Sequence, residues 1–224
     1  MDGNGRWAKL HNKPRVFGHG KGVERAQEAT EFALDMGIEV LSLYAFSTEN
    51  WARPKEEVEF LMALLEEYLD KEFPKMQNKG IRLHALGRIR ELPPSTMQKV
   101  MEVVNATEKN DAMTLNLALN YGSRAEMVDA VREIASMVQR GGITPEQVNE
   151  GLIEAHLYTR GQPPPDLLIR TSGEYRVSNF LLWQMAYTEL YFTTTLWPDF
   201  DKAEFLRALL SYQKRERRFG GVTE

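Results

Sequence analysis

The sequence predicts an α/β fold: a mostly parallel central sheet with helices on its faces. Three observations carry this expectation. Apolar residues alternate along the chain between helical spacing and short buried runs, and strands separated by helices need crossovers that leave them parallel. The chain has 224 residues, enough to bury a sizeable core as one domain, and no repeat or long low-complexity linker divides it. It has no cysteine, which rules out disulfides and thiolate zinc as the source of its order. One domain over residues 1–224 is expected.

The elements follow in order. Val23, Ala26, Ala29, Thr30 and Ala33 recur at helical spacing, Gly37 is a natural stop, and Gly18–Gly22 sits where this helix would begin. Glu39–Phe46 reads as a buried strand. Val58, Leu61, Met62, Leu65, Tyr68 and Leu69 form a helical stripe beginning after Pro54. Ile81–Leu86 is a short strand. Thr96–Thr107 is helical, with Ser95 as N-cap after Pro93-Pro94. Thr114–Asn120 is a strand, and Ser123 caps a helix that runs to about Arg140 and stops at Gly141-Gly142. Thr144-Pro145-Glu146-Gln147 places a cap, a proline and a glutamine as at a helix start. Pro163-Pro164-Pro165 is a stiff connector. Asp166–Ile169 and Leu190–Phe192 are strands, and Lys202–Lys214 is a terminal helix with a basic end at Arg215, Arg217 and Arg218.

Composition excludes several functions. No apolar run approaches the ~18–20 residues of a membrane span; the best stretch, Ile38 to Phe46, is broken by Glu39 and Ser42. Residues 1–15 are polar and basic, without the apolar core of a signal peptide, so a cytoplasmic protein is expected. A net charge of −4 and a pI near 5.7 argue against a nucleic-acid partner.

In open parallel sheets ligands bind beyond the carboxyl ends of the strands, which directs attention to the segments after each strand. Ser47-Thr48-Glu49-Asn50-Trp51-Ala52-Arg53-Pro54 follows one strand and Arg170-Thr171-Ser172-Gly173-Glu174-Tyr175-Arg176-Val177-Ser178-Asn179 another. The chain opens on Asp2-Gly3-Asn4-Gly5-Arg6-Trp7, followed by Arg15 and His19. Arginine offers a planar fork of donors to phosphate, and glycine admits backbone N–H groups close to an anion. Taken singly these residues have plain readings: Asn4-Gly5 as a turn, Ser47 and Asn50 as caps for the helix near Lys55, His19 as a structural histidine, Trp51 as core, Glu189 as a surface carboxylate. Together, three arginine-bearing loops on one side of the sheet point to a diphosphate. There is no GxxxxGK[ST] loop, no GxGxxG strand–helix signature and no DDxxD pair. Any magnesium would be held by one or two carboxylates plus substrate phosphates, with Asp2 and Glu189 as candidates.

Asp2-Gly3-Asn4-Gly5-Arg6-Trp7-Ala8, Arg15, Gly18-His19, Tyr44-Ala45-Phe46-Ser47-Thr48-Glu49-Asn50-Trp51 and Arg53-Pro54 closely resemble the cis-prenyltransferase family. So do Asn120-Tyr121-Gly122, the run from Asp166 to Glu174 and that from Arg176 to Gln184. Tyr187, Glu189-Leu190-Tyr191-Phe192, Leu196-Trp197-Pro198-Asp199-Phe200 and Arg215-Glu216-Arg217-Arg218-Phe219-Gly220 continue the match. Within the family the chain is most similar to the bacterial undecaprenyl diphosphate synthases of di-trans,poly-cis type. The resemblance implies sequential cis-condensation of isopentenyl diphosphate onto an allylic diphosphate, farnesyl diphosphate being the expected primer. The expected product is undecaprenyl diphosphate, a lipid-carrier precursor for cell-wall polysaccharide. It implies Mg²⁺ as cofactor and a homodimer, with peripheral membrane contact through the lipid product.

The resemblance also assigns roles. Asp2 positions Mg²⁺ on the allylic diphosphate and assists its departure. Gly3, Asn4, Gly5, Arg6, Trp7, Arg15 and His19 hold that diphosphate. Ser47, Thr48, Glu49 and Asn50 lie beside the reacting carbons, with Asn50 assisting proton removal, and Trp51 and Arg53 supply a hinge and substrate contacts. Arg170, Arg176, Val177 and Ser178 clamp isopentenyl diphosphate. Glu189 is a second metal-associated carboxylate, which in a dimer lies near the partner chain. Ala45, Met62, Leu65 and Met113 are the expected lining of a tunnel for the growing chain; the same spacing would also suit ordinary core. Family members carry an apolar strand ahead of the Asp-Gly-Asn-Gly loop. Without it Asp2 is expected to be poorly anchored, and a chain extended upstream to be more stable and more active. Two rivals stay open: another phosphate enzyme on the same architecture, and a catalytically silent partner subunit. Retention of Asp2, Arg6, Arg15, His19 and Asn50 argues against the second.

Overall fold

The computed structural model describes residues 1–215; the part of the expected basic tail beyond Arg215 lies outside them. Two helices come first, α1 (Asn4–Leu10) and α2 (Arg15–Asp35), then β1 (Val40–Ser47), a 3-10 turn at Thr48–Ala52 and α3 (Lys55–Lys79). They are followed by β2 (Ile81–Leu86), α4 (Pro94–Ala106), β3 (Met113–Tyr121), α5 (Ser123–Gln139), α6 (Glu150–His156), β4 (Leu167–Arg170), β5 (Glu189–Phe192) and α7 (Lys202–Gln213).

Every strand pair is parallel, as the alternation of elements requires. β3 lies between β1 and β2 in one three-stranded sheet, and β4 pairs with β5 in a second. The central strand, Met-Thr-Leu-Asn-Leu-Ala-Leu-Asn-Tyr, is buried almost throughout, as a parallel strand covered on both faces must be. One face packs a cluster including Leu43, Phe46, Met62, Leu69, Leu83, Val100, Leu115 and Phe205; the other packs Leu86, Ala118, Tyr121, Phe180 and Leu181. Each fully buried Leu contributes roughly 1.5–3 kcal/mol of transfer free energy. The buried polar side chains of β3 are hydrogen-bonded. The Asn116 amide, for example, donates to Ser42 Oγ at 2.9 Å and Gln162 Oε1 at 2.7 Å.

β1 contains a bulge. Tyr44 is paired with Ala118 and Phe46 with Leu119, so Ala45 is an extra residue opposite no partner.

Several local expectations are corrected. Asn4-Gly5 does not form an isolated turn but opens α1, and α2 begins at Arg15, so Gly18–Gly22 lies inside a helix. The reason is helix packing: a Cβ on Gly18 would sit 2.0 Å from the Asn4 carbonyl oxygen, so only glycine lets α1 lie this close to α2. Ser95 does not cap α4; its hydroxyl donates to Glu66 on α3. Thr144 and Gln147 form their capping box around a 3-10 turn, and α6 starts separately at Asn149, whose side chain accepts from Leu152 N–H. Met113, an expected tunnel residue, is 2% exposed in the main core at the start of β3 and is not in the lining of the apolar cavity described below.

Candidate active site

The loops after β1, β3 and β4 converge with the Asp2–Trp7 segment. Backbone strain concentrates in them. Asn120, Ser172, Ser178, Asn179 and Leu181 all have positive φ, a conformation that non-glycine residues rarely hold unless their surroundings enforce it, as at functional sites. Gly3, at φ 107°, stands where a Cβ would lie 2.2 Å from Ser172 Oγ.

Asp2 is firmly anchored, contrary to the sequence-based expectation. Its N–H donates to Thr171 Oγ1 at 3.0 Å. Its carbonyl accepts from Thr171 Oγ1 at 2.9 Å, Ser172 Oγ at 2.6 Å and Trp197 N–H at 2.9 Å. The carboxylate meets Arg170 at 3.0 Å and Arg6 at 3.4 Å. Burial alone would raise its pKa. The hydrogen bond and charge of Arg170, the charge of Arg6 and the Gly3 N–H outweigh that and hold it below the ordinary value. It is therefore an ionised, half-buried oxygen donor at neutral pH.

Arg170 organises the first half of the site. Its Nη1 donates to Arg176 O at 2.6 Å and Ser178 Oγ at 2.7 Å while Nη2 reaches Asp2. Arg6 donates to Ser172 O and to Glu174, both at 3.0 Å, and Arg176 also pairs with Glu174. Val177 stays in the loop, half-buried, with its carbonyl accepting from Phe180 N–H.

The second half gathers around a residue that the sequence reading did not single out. Glu57, in the first turn of α3, receives Arg53 at 3.1 Å, Arg15 Nε at 3.2 Å and His19 Nε2 at 3.4 Å, and its side chain is only 12% exposed. Three cationic or potentially cationic groups from two elements thus share one carboxylate. Burial lowers the His19 pKa, and Arg53 and Arg15 assist; Glu57 opposes them without prevailing. The only sequence signal for Glu57 was its i,i+4 spacing from Arg53.

Ser47 and Asn50 close the 3-10 turn between them, Asn50 Oδ1 accepting from Ser47 N–H at 3.1 Å. They cap this turn and not α3. Glu49 accepts from Asn179 Nδ2 at 3.0 Å, and Thr48 lies against Gly122, where a Cβ would come within 2.7 Å of Thr48 Oγ1. Trp51 Nε1 donates to Asn120 Oδ1 at 2.7 Å, fixing the turn to the end of β3. Trp7 Nε1 donates to Asp199 at 2.7 Å.

Beside this polar floor lies an apolar cavity of about 110 Å³. Its lining joins Asn4 and His19 to Val23, Ala26, Leu43, Ala45, Met62, Leu65, Tyr68 and Leu117. Three of the four expected tunnel residues are there. Asn4 Oδ1 and Arg170 Nε are buried without a hydrogen-bond partner, and His19 Nε2 has only the 3.4 Å approach of Glu57; buried polar groups left open in this way are free to meet a ligand.

A family model described as putative undecaprenyl diphosphate synthase matches residues 1–220. The chain belongs to this family of prenyltransferases. It is 52% identical over 223 residues to the isoprenyl transferase of Geobacillus kaustophilus, covering 100% of this chain and 87% of that one. It is 49% identical over 222 residues to the (2E,6E)-farnesyl-diphosphate-specific ditrans,polycis-undecaprenyl-diphosphate synthase of Haemophilus influenzae, covering 99% and 93%. Lavandulyl diphosphate synthase from Lavandula x intermedia, solved with dimethylallyl diphosphate, superposes with a TM-score of 0.95 at 37% identity, over 99% of this chain and 95% of that one. A probable undecaprenyl diphosphate synthase from Campylobacter jejuni gives 0.78 at 37% identity, over 90% and 92%.

Glu189 stands apart from the other family-implied residues. It opens β5 opposite Leu167, whereas Arg170 lies at the other end of the pair opposite Phe192, and its carboxylate receives Arg215 at 2.6 Å. Within one chain it does not join Asp2, and among the described residues no group of three or more Asp, Glu or His side chains could hold a metal ion. Asp2 alone, a hard, ionised oxygen donor, suits Mg²⁺ of the kind held by one carboxylate and substrate phosphates. No helix among the described residues is long and apolar enough to cross a membrane.

Proposed function

We propose that the chain condenses isopentenyl diphosphate, in cis and repeatedly, onto farnesyl diphosphate to give undecaprenyl diphosphate. The observation that carries this reading is the juxtaposition of an arginine-held Asp2 with an apolar cavity that begins at Asn4 and His19. The pair suits a ligand with a doubly charged head and a hydrocarbon tail. Mg²⁺ bound through Asp2 would supply charge neutralisation to a departing diphosphate.

The chain's own residues do the rest. Arg6, Arg15 and the N-terminal end of α2 present fixed donors to negative charge as it builds on the leaving oxygen; such preorganised electrostatics dominate many enzymes. Arg170, Arg176 and Ser178, already linked to one another, hold the second diphosphate so that its alkene faces the allylic carbon, a proximity effect. Asn50 has committed its amide oxygen to the backbone, so it orients substrate through its NH₂ group and a diphosphate oxygen takes the proton. The cavity at Ala45 and Leu65 receives the growing chain, and its depth limits product length. A homodimer is expected to bring Glu189 toward the partner's site.

Purified protein given labelled isopentenyl diphosphate, farnesyl diphosphate and Mg²⁺ should form butanol-extractable label, lost with chelator and sized by chromatography after dephosphorylation. No incorporation under these conditions overturns the proposal. In Asn50→Ala, turnover should fall far more than isopentenyl diphosphate affinity; unchanged turnover removes Asn50 from the mechanism.

A further inference from the structure

The connection between α1 and α2 has a surface of which the proposed reaction uses only Arg15. Residues 9–17, Lys-Leu-His-Asn-Lys-Pro-Arg-Val-Phe, are exposed without interruption. Leu10 exposes 73% of its surface, Phe17 42% and Val16 39%. The run contains three basic residues and no carboxylate, in a chain of net charge −4. Arg15, though exposed, is paired with Glu57, which leaves Lys9 and Lys13 as the lysines of this outer surface.

The Phe17 ring is held in place. Trp7 stacks on His11 at 3.9 Å and on Phe17 at 6.0 Å, and Lys13 Nζ lies 5.6 Å from the centre of the Phe17 ring. An exposed Leu at the end of one helix, an exposed aromatic ring in the first turn of the next and a lysine in the run at each form the pattern of an interfacial membrane contact. The apolar groups enter the headgroup–acyl boundary, and the ammonium groups meet anionic headgroups while their methylene stems lie along the apolar surface. The same turn leads directly from Asn4 and Arg6 into Arg15, so whatever it docks on lies beside the mouth of the site.

We propose that the α1–α2 turn docks this protein on an anionic lipid bilayer, with Leu10, Phe17, Lys9 and Lys13 as the contact. Vesicle binding is read without turnover, so its outcome is independent of the reaction assignment. The whole chain is floated with vesicles of phosphatidylcholine alone or mixed with phosphatidylglycerol, at low and high salt. It should float only with the anionic vesicles, and less at high salt. Lys9→Glu combined with Lys13→Glu should weaken partitioning at least about thirty-fold, since each lost cation near the surface is worth roughly five-fold. Leu10→Ser should weaken it on the order of ten-fold while preserving the salt dependence. Both variants should keep the melting temperature and the turnover of a detergent-dispersed primer; Lys9→Gln with Lys13→Gln gives the same reading if charge reversal unfolds the protein. Flotation with neither vesicle, equal flotation with both, or a double variant that floats like the parent overturns the proposal. The first of these outcomes would point to an acidic protein partner instead.

Discussion

Gly18→Ala tests whether close helix packing sets up the site. A methyl group at position 18 would lie 2.0 Å from the Asn4 carbonyl oxygen, about 1.4 Å short of an ordinary 3.4 Å contact, and 2.8 Å from the carbonyl carbon. The obstacle is backbone, so no rotamer relieves it, and α1 must move. Its N-terminus is tethered through Asp2 to Thr171, Ser172 and Trp197, so the shift falls on Asn4 and Arg6. Overpacking of this kind costs about 1–3 kcal/mol, offset by about 0.5–1 kcal/mol from replacing a helical glycine. A net loss near 1–2 kcal/mol lowers Tm by roughly 2–8 °C in a chain of this size. A displacement of about 1 Å at the diphosphate donors is expected to cost on the order of 10²-fold in turnover. Gly20→Ala is the matched control: a Cβ there meets nothing within 4 Å, so the same helix-propensity gain should raise Tm slightly and leave activity alone. Thermal melts and labelled isopentenyl diphosphate incorporation measure both. If Gly18→Ala melts and turns over like Gly20→Ala, the packing argument is wrong.

Three further outcomes are expected. Glu57→Gln should bind inorganic pyrophosphate about ten-fold more tightly by calorimetry, because an incoming anion no longer competes with Glu57 for Arg15, Arg53 and His19; equal or weaker binding refutes the competition. Asp2→Asn should lower turnover by more than ~10²-fold and lower stability by roughly 1–3 kcal/mol, since the half-exposed Arg6 pair contributes little but Arg170, 14% exposed, loses its carboxylate. His19 has a folded pKa below its ordinary 6.5, so the unfolded state binds the extra proton. Its contribution to stability is therefore complete above about pH 6.5 and is lost as pH falls through the folded value. Denaturant titrations from pH 7.5 to about 5 should show this slope in the parent and less of it in His19→Gln.

The strands were legible because apolar runs such as Leu115–Leu119, broken only by Asn116, survive only when both faces are covered. The site loops were legible because parallel strands place their carboxyl ends together, which puts Ser47–Arg53 and Arg170–Asn179 on the same side of the fold. α1 was not. Asn-Gly-Arg-Trp has weak helical propensity, and its helicity comes from packing against Gly18 and from the Trp7 bond to Asp199, both distant in sequence. Glu57 was missed for a similar reason: Arg15 and His19 reach it from α2. The separation of Glu189 from Asp2 depends on the β4–β5 register, which no local pattern specifies.

The extra residue at Ala45 has a consequence for parity. In a regular strand, residues three apart point to opposite faces, yet Leu43 and Phe46 pack into the same core cluster while Tyr44 joins the opposite one. The bulge resets the alternation one step before the strand ends, leaving a methyl group at the cavity wall and a ring in the core. Deleting that single residue would exchange the two surfaces at the end of the strand and displace the Ser47–Asn50 segment, at the loss of a single methyl group from the cavity wall.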